Sequence, residues 1–150
     1  MKAKILITAV AWLWCAACLT AFLWIPDAKA QPAKTALNLK HETSFVAFAG
    51  DCNSKPPMVF GGKLYSEADR TAAICCRRLL YASTTAKDYV TLKGGLEYKA
   101  PAKVGDLLFV SAKVVKLGEK SITMEVLIER EDSTGRVSLG KGEFVFVSYD

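Results

Sequence analysis

Along the chain, a hydrophobic pattern with the period of a helix is followed by patterns typical of strands, and this change most constrains the fold. From Gly62 onward, apolar and small residues recur at spacings of three and four, which predicts a helix with one buried stripe. The stripe comprises Leu64, Ala68, Thr71, Cys75 and Leu79, and it is widened by Ile74 and Leu80. From residue 89 onward the sequence is typical of strands. One long helix followed by strands predicts an α+β fold in which a sheet curls over a central helix.

Five β-favouring runs accompany the helix. A short run at 43–49 precedes it, and a run at 89–98 with a glycine pair in its middle follows it. Three longer runs come next, at 107–117, 121–130 and 137–148, separated by turn-rich residues at 118–120 and 131–136. These runs predict an antiparallel sheet of about five strands.

Residues 1–30 have the features of a targeting or anchoring segment. Two lysines precede about 21 uncharged residues, and Ala28-Lys29-Ala30 has the small-x-small form of a cleavage site. A signal peptide cut after Ala30 and a retained single-span anchor both remain open, because the apolar run is long enough to cross a bilayer. We expect export or membrane anchoring, with the side of the membrane undecided. Residues 31–40 are interpreted as a linker and 41–150 as the folded domain.

Composition excludes several function classes. The formal net charge of +5 is mild and lacks a basic helix or tail, so no nucleic-acid partner is expected. His41 is the single histidine and precedes the first strand, which argues against a Ser-His-Asp triad. The sequence has no Cys/His cluster and no dinucleotide or phosphate-binding loop, so neither a metal nor a redox cofactor is expected.

The start of the helix is a candidate anion site. Its first-turn amide groups lack intrahelical acceptors and carry partial positive charge, and glycine at Gly61 and Gly62 leaves them accessible to a carbonyl oxygen. The alternative is that the glycines only make a tight turn. Asp69 follows two turns into the helix, where it is either a functional acid or the partner of a neighbouring cation such as Arg70.

A set of short motifs then occurs in a characteristic order. They are Asp51-Cys52-Asn53, Phe60-Gly61-Gly62, Asp69, Tyr98-Lys99-Ala100-Pro101, Val104-Gly105-Asp106, Gly118-x-x-Ser121 and Phe144-Val145-Phe146-Val147. With these motifs, residues 51–150 resemble the hotdog-fold acyl-CoA thioesterases. The sequence departs from that family in a longer loop after Asn53 and in Lys63, where a bulky hydrophobic residue is common.

The resemblance implies hydrolysis of an acyl-CoA thioester to a free acid and CoA. Asp69 is implied as general base or nucleophile, and the backbone N–H groups of Gly61 and Gly62 as the oxyanion hole. Asn53 is implied to orient water or polarise the carbonyl, although an asparagine serving only the turn is an alternative. A non-catalytic acyl- or lipid-binding module outside the cytoplasm is the alternative function.

The geometry of the helix bears on assembly. Seven residues of helix rise about 10 Å, so Asp69 is too far along its own helix to meet a carbonyl held at Gly62. In the family, the acid of one protomer faces the glycines of another. We therefore expect a homodimer paired through the strand at 89–98, with a dimer of dimers left open. Candidate substrate-binding residues are Phe60 and Tyr65, and for the CoA phosphates Lys63, Lys99, Lys103 and Lys120.

Overall fold

The computed structural model describes residues 39–53, 55–82 and 88–149. The expected signal or anchor at 1–30 and nearly all of the linker lie outside these residues. The elements are β1 (Lys40–Val46), α1 (Gly61–Ala82), β2 (Asp88–Tyr98), β3 (Leu107–Leu117), β4 (Ser121–Asp132) and β5 (Gly135–Tyr149). In the described part of the chain, no helix combines the length and apolar character needed to cross a bilayer.

All five strands form one antiparallel sheet in the order β1-β3-β4-β5-β2. Strands β3, β4 and β5 are a meander, and the strand that follows the helix, β2, pairs with β5 at one edge. The helix covers one face of the sheet, and its buried side chains join the inward-facing residues of the strands in a single core. The predicted architecture, one long helix against a curved five-stranded sheet, is confirmed.

The buried stripe of α1 follows the prediction with one exception. Leu64, Ala68 and Cys75 are buried, and the Thr71 hydroxyl is also buried and hydrogen-bonded to that of Thr43 at 2.7 Å. Ile74 is 37% exposed, so its inclusion in the stripe was wrong. Ala72 and Cys76, two positions before and two positions after Ile74, are buried instead. Because their side chains are small, the strands can approach the helix closely.

Two predicted boundaries differ because a carboxylate bends the chain. The predicted turn at 131–136 shrinks to two residues, since the Asp132 carboxylate accepts the Thr134 N–H at 2.8 Å. The first strand runs from Lys40 to Val46 rather than from residue 43 to residue 49, so His41 lies within this strand and does not precede it. Beyond Val46, the Asp51 carboxylate accepts the Phe48 N–H at 3.0 Å and stabilises a short 3-10 turn over Ala49–Asp51.

Candidate active site

The first turn of α1 offers unpaired amide groups, as the sequence predicts. The N–H groups of Lys63 and Leu64 donate to the Phe60 carbonyl at 2.9 and 3.3 Å, whereas those of Gly61 and Gly62 have no acceptor within the helix. A Cβ atom at Gly62 would lie 2.3 Å from the Phe60 ring. Glycine is therefore needed at this position for the ring to pack across the start of the helix.

A cleft of about 420 Å³ opens beside this turn. It brings together Asn53, Gly61 and Lys99, which come from three separate segments of the chain. The Asn53 N–H donates to the Met58 carbonyl at 3.3 Å, which joins the two sides of this loop. The Tyr98 hydroxyl lines the same cleft and donates to the Gly61 carbonyl at 2.7 Å. The size of the cleft suits part of a small-molecule ligand.

Asp69 does not line this cleft. It is half-buried two turns along α1, where its carboxylate accepts a hydrogen bond from the Thr91 hydroxyl on β2 at 2.9 Å. Arg70, the partner that the alternative interpretation required, pairs instead with Glu67. Asp69 is therefore directed at the edge strand, separated from Gly62 by a helical rise of about 10 Å.

Thr91 was not among the site residues predicted from the sequence. The signal for it is its position in the run from Tyr89 to Leu92, where it shares the side of the strand with Tyr89. Tyr89 packs against the core. Because side chains two positions apart on a strand point to the same face, the Thr91 hydroxyl points toward α1. A polar residue on the helix-facing side of a strand needs a partner, and Asp69 is that partner.

Of the other predicted substrate-binding residues, three lie at the helix start or beside the cleft, and two lie elsewhere. Phe60 is 54% exposed at the helix start, and Lys99 and Lys103 are exposed on the loop that borders the cleft. Tyr65 faces β2 and β5 instead, with its ring 5.3 Å from that of Phe144. Lys120 lies in the turn between β3 and β4, where its carbonyl accepts the Ser148 N–H at 3.0 Å.

Lys63 has carboxylate partners. Its ammonium lies 3.0 Å from a Glu67 oxygen and 3.5 Å from an Asp51 oxygen, and 5.5 Å from the centre of the Phe45 ring. The hydrogen bond to Glu67, with the nearby charge of Asp51, raises the pKa of Lys63 above its ordinary value. Lys63 was predicted to bind the phosphates of CoA, but in the structure it belongs to an ion-pair network between α1 and the preceding loop.

Comparison with known families decides the class of protein. The profile of the thioesterase superfamily matches residues 57–136, which is more than half of the chain. The chain belongs to the thioesterase superfamily. Curated proteins give no match to it.

Solved structures similar to this thioesterase share the hotdog fold. A hexameric thioesterase from Yersinia pestis is 26% identical, with a TM-score of 0.62 over 72% of this chain and 85% of its own. An acyl-CoA hydrolase from Staphylococcus aureus, solved with butyryl coenzyme A, is 25% identical, with a TM-score of 0.65 over 75% and 67%. A hexameric hotdog-fold thioesterase from Campylobacter jejuni is 27% identical, with a TM-score of 0.60 over 72% and 81%. The resemblance stated from the motifs is confirmed.

The site of this thioesterase offers hydrogen-bond donors and one oriented carboxylate. Burial of Tyr98 raises its pKa, and the electrostatic effect of the nearby Tyr65 raises it further. The Tyr98 hydroxyl therefore stays protonated at neutral pH and keeps its hydrogen bond to the Gly61 carbonyl. Among the residues that the structure describes, no group of three or more His, Cys, Asp or Glu side chains is arranged to hold a metal ion. The arrangement can bind a carbonyl oxygen at the helix start and can accept a proton at Asp69.

Proposed function

We propose that this thioesterase hydrolyses acyl-CoA to a free acid and CoA, in sites that two protomers build together. The observation that carries the proposal is the Asp69–Thr91 pair, which is held at the edge strand and about 10 Å along the helix from the first-turn amides. The similar hydrolase from S. aureus was solved with butyryl coenzyme A and CoA, which supports acyl-CoA as the substrate class.

The proposed reaction uses the donors and the carboxylate in separate roles. The thioester carbonyl oxygen accepts N–H groups from Gly61 and Gly62, where the partial positive charge of the helix start stabilises the developing oxyanion. In one route, Asp69 takes a proton from a water molecule whose oxygen bonds to the carbonyl carbon; the carbon–sulfur bond then breaks, and Asp69 returns the proton to the CoA thiolate. In the other route, Asp69 attacks the carbonyl carbon itself and displaces the thiolate; water then hydrolyses the acyl–Asp69 anhydride, which releases the free acid, restores the carboxylate and supplies the proton for the thiolate. Asn53 orients the water or polarises the carbonyl.

Pairing through β2 brings the two halves of the site together. With a two-fold axis at Gly95, antiparallel β2 strands of two protomers pair, and the bulge at Leu92 places Thr91 opposite the partner's Tyr98. Because Thr91 binds Asp69 and Tyr98 binds Gly61, this register brings Asp69 of one protomer to the partner's Gly61. Each dimer then contains two equivalent sites, and neither is complete in a monomer.

The outer edge of β2 supports such a partner. Val90 is 48% exposed and Leu92 is 66% exposed on this strand. An edge strand with exposed apolar side chains is a template for pairing with another chain. The relatives from Y. pestis and C. jejuni are hexameric, which supports further association of dimers.

The test is a thiol-release assay on CoA thioesters of short to long acyl chains. We expect turnover by the wild-type protein and a loss of kcat of roughly 10²–10⁴-fold in Asp69→Asn and Asp69→Ala. Glu125→Gln is the matched control, because this exposed carboxylate lies on the sheet face away from α1. Unchanged turnover in both Asp69 variants would remove Asp69 from the mechanism. A folded wild-type protein that cleaves no thioester would favour the non-catalytic acyl-binding module.

A further inference from the structure

Lys63 links the helix to the loop that carries Asn53. On the helix side it pairs with Glu67, which is only 5% exposed and also pairs with Arg70. A carboxylate this deeply buried requires cationic partners, because an uncompensated buried charge is strongly destabilising. On the loop side Lys63 pairs with Asp51. The ammonium therefore bridges two carboxylates that belong to different segments of the chain.

Asp51 fixes the loop in turn. Its backbone carbonyl accepts the Phe60 N–H at 2.8 Å, directly before the helix start, and its carboxylate accepts the Phe48 N–H at 3.0 Å. Cys52 and Val59 form an antiparallel bridge just beyond it. Asn53 follows Asp51 by two residues, so the position of Asn53 relative to Gly61 depends on where Asp51 is held.

We propose that Lys63 is a positioning residue: by bridging Glu67 and Asp51, it holds Asn53 at the helix start, and it takes no part in binding the phosphates of CoA. The proposal rests on the proposed thioesterase reaction and adds to it the role of a residue that departs from the family pattern. The raised pKa of Lys63 is consistent with this bridge, because it reflects an ammonium stabilised by both carboxylates.

A positioning lysine and a phosphate-binding lysine differ in their substrate dependence. A contact to phosphate is made only with CoA thioesters, and losing it raises KM. A displaced Asn53 slows the reaction of every thioester, because small misplacements of catalytic groups reduce kcat. An N-acetylcysteamine thioester of the same acyl group lacks phosphates, and it therefore separates the two roles.

The experiment compares Lys63→Met and Asp51→Asn with the wild-type protein on both substrates. We expect kcat to fall by roughly ten- to a hundredfold in each variant and equally for both thioesters, with KM for acyl-CoA little changed. The kcat of the double variant is expected to be no lower than that of either single variant, because each single substitution already breaks the same Lys63–Asp51 bridge. A loss confined to acyl-CoA and seen as a raised KM would overturn the proposal, as would unchanged kinetics.

Two lysines provide the comparisons. Lys113→Met, on the sheet face away from α1, is expected to leave both reactions unchanged. Lys99→Met is expected to raise KM for acyl-CoA but not for the N-acetylcysteamine thioester, because Lys99 lines the cleft and is predicted to contact the phosphates of CoA.

Amide hydrogen exchange tests the bridge without turnover. In Lys63→Met, exchange at Asn53 and Phe60 is expected to quicken, while amides in the middle of α1 keep their protection. Unchanged protection at Asn53 and Phe60 would overturn the proposal even if the wild-type protein proved inactive. Absence of wild-type turnover alone would instead count against the proposed reaction.

Discussion

At the scale of single residues, the environment of Asp69 separates it from an ordinary surface acid. A solvent-facing carboxylate on a helix typically pairs with a cation three or four positions away. Asp69 instead accepts the Thr91 hydroxyl from a different element, and the adjacent Arg70 is engaged by Glu67. One oxygen of the carboxylate is thereby oriented by the sheet, which is the arrangement expected of a positioned base.

Thr91 should affect turnover through this orientation. We expect Thr91→Val to lower kcat by about tenfold, because the carboxylate loses the hydrogen bond that fixes its rotamer. Thr91→Ser keeps the hydroxyl and should retain most of the activity. Thr123→Val, on the sheet face away from α1, is the control for a threonine-to-valine change within a strand. Equal activity of Thr91→Val and the wild-type protein would show that the hydroxyl has no part in the reaction.

At the scale of elements, the glycine pair of β2 has two different roles. A Cβ atom at Gly94 would lie 2.4 Å from the Tyr65 hydroxyl and 2.6 Å from the Phe144 ring, which is fully buried. A Cβ atom at Gly95 would meet nothing within 4 Å. Only Gly94 is therefore required for α1 to pack on β2 and β5.

The two glycines make a matched pair of variants. We expect Gly94→Ala to lower the free energy of unfolding by about 1–3 kcal/mol, because the buried Phe144 ring must shift. Gly95→Ala should change it by less than about 1 kcal/mol. Urea denaturation of the two variants measures the difference. Equal stabilities would mean that Gly94 is not tightly packed.

The contact between β1 and α1 should give the fold a pH dependence near neutrality. Burial, and then the positive charge of Arg78, lower the pKa of His41 below its ordinary value of 6.5. The Arg78 guanidinium lies 2.9 Å from Nδ1. As the pH falls, the unfolded chain binds the proton first. The stabilisation is thus complete above about pH 6.5 and is lost as the pH falls toward the lowered pKa of the folded state.

The measurement is the free energy of unfolding of wild-type protein and His41→Gln between about pH 7 and pH 5. Glutamine can still accept a hydrogen bond from Arg78 but does not titrate in this range. We expect a steeper decrease in the wild-type protein than in the variant. Parallel curves would exclude His41 as the source of the pH dependence.

At the scale of the whole molecule, the proposed dimer makes the completeness of the site depend on the edge strand β2. Leu92→Asp places a charge at the exposed edge, so we expect it to shift the protein toward folded monomers with little turnover. Light scattering measures the mass, and circular dichroism verifies the fold. Leu117→Asp, at the end of β3 and also partly exposed, is the control. A fully active monomer would contradict the shared site.

Local patterns made much of this molecule predictable. The stripe from Leu64 to Leu79 marks α1, and β3 has the predicted bounds of Leu107 and Leu117, because periodicity and glycine-rich turns are local signals. The assignment of Asn53 and Gly61 to one site is a prediction from the resemblance, and both residues line the same cleft. By contrast, the bonds of Thr91 to Asp69 and of Lys63 to Asp51 depend on which segments pack beside the helix, and that is fixed by long-range pairing.

The central claim is that Asp69 of one protomer acts with Asn53 and the helix start of its partner. Mixing the inactive variants Asp69→Asn and Asn53→Ala, under conditions that let subunits exchange, tests this directly. Each mixed dimer then contains one intact site, and we predict recovery to about a quarter of the wild-type activity when equal amounts exchange at random. Activity of the mixture no higher than that of the separate variants would show that the two residues do not act across the dimer.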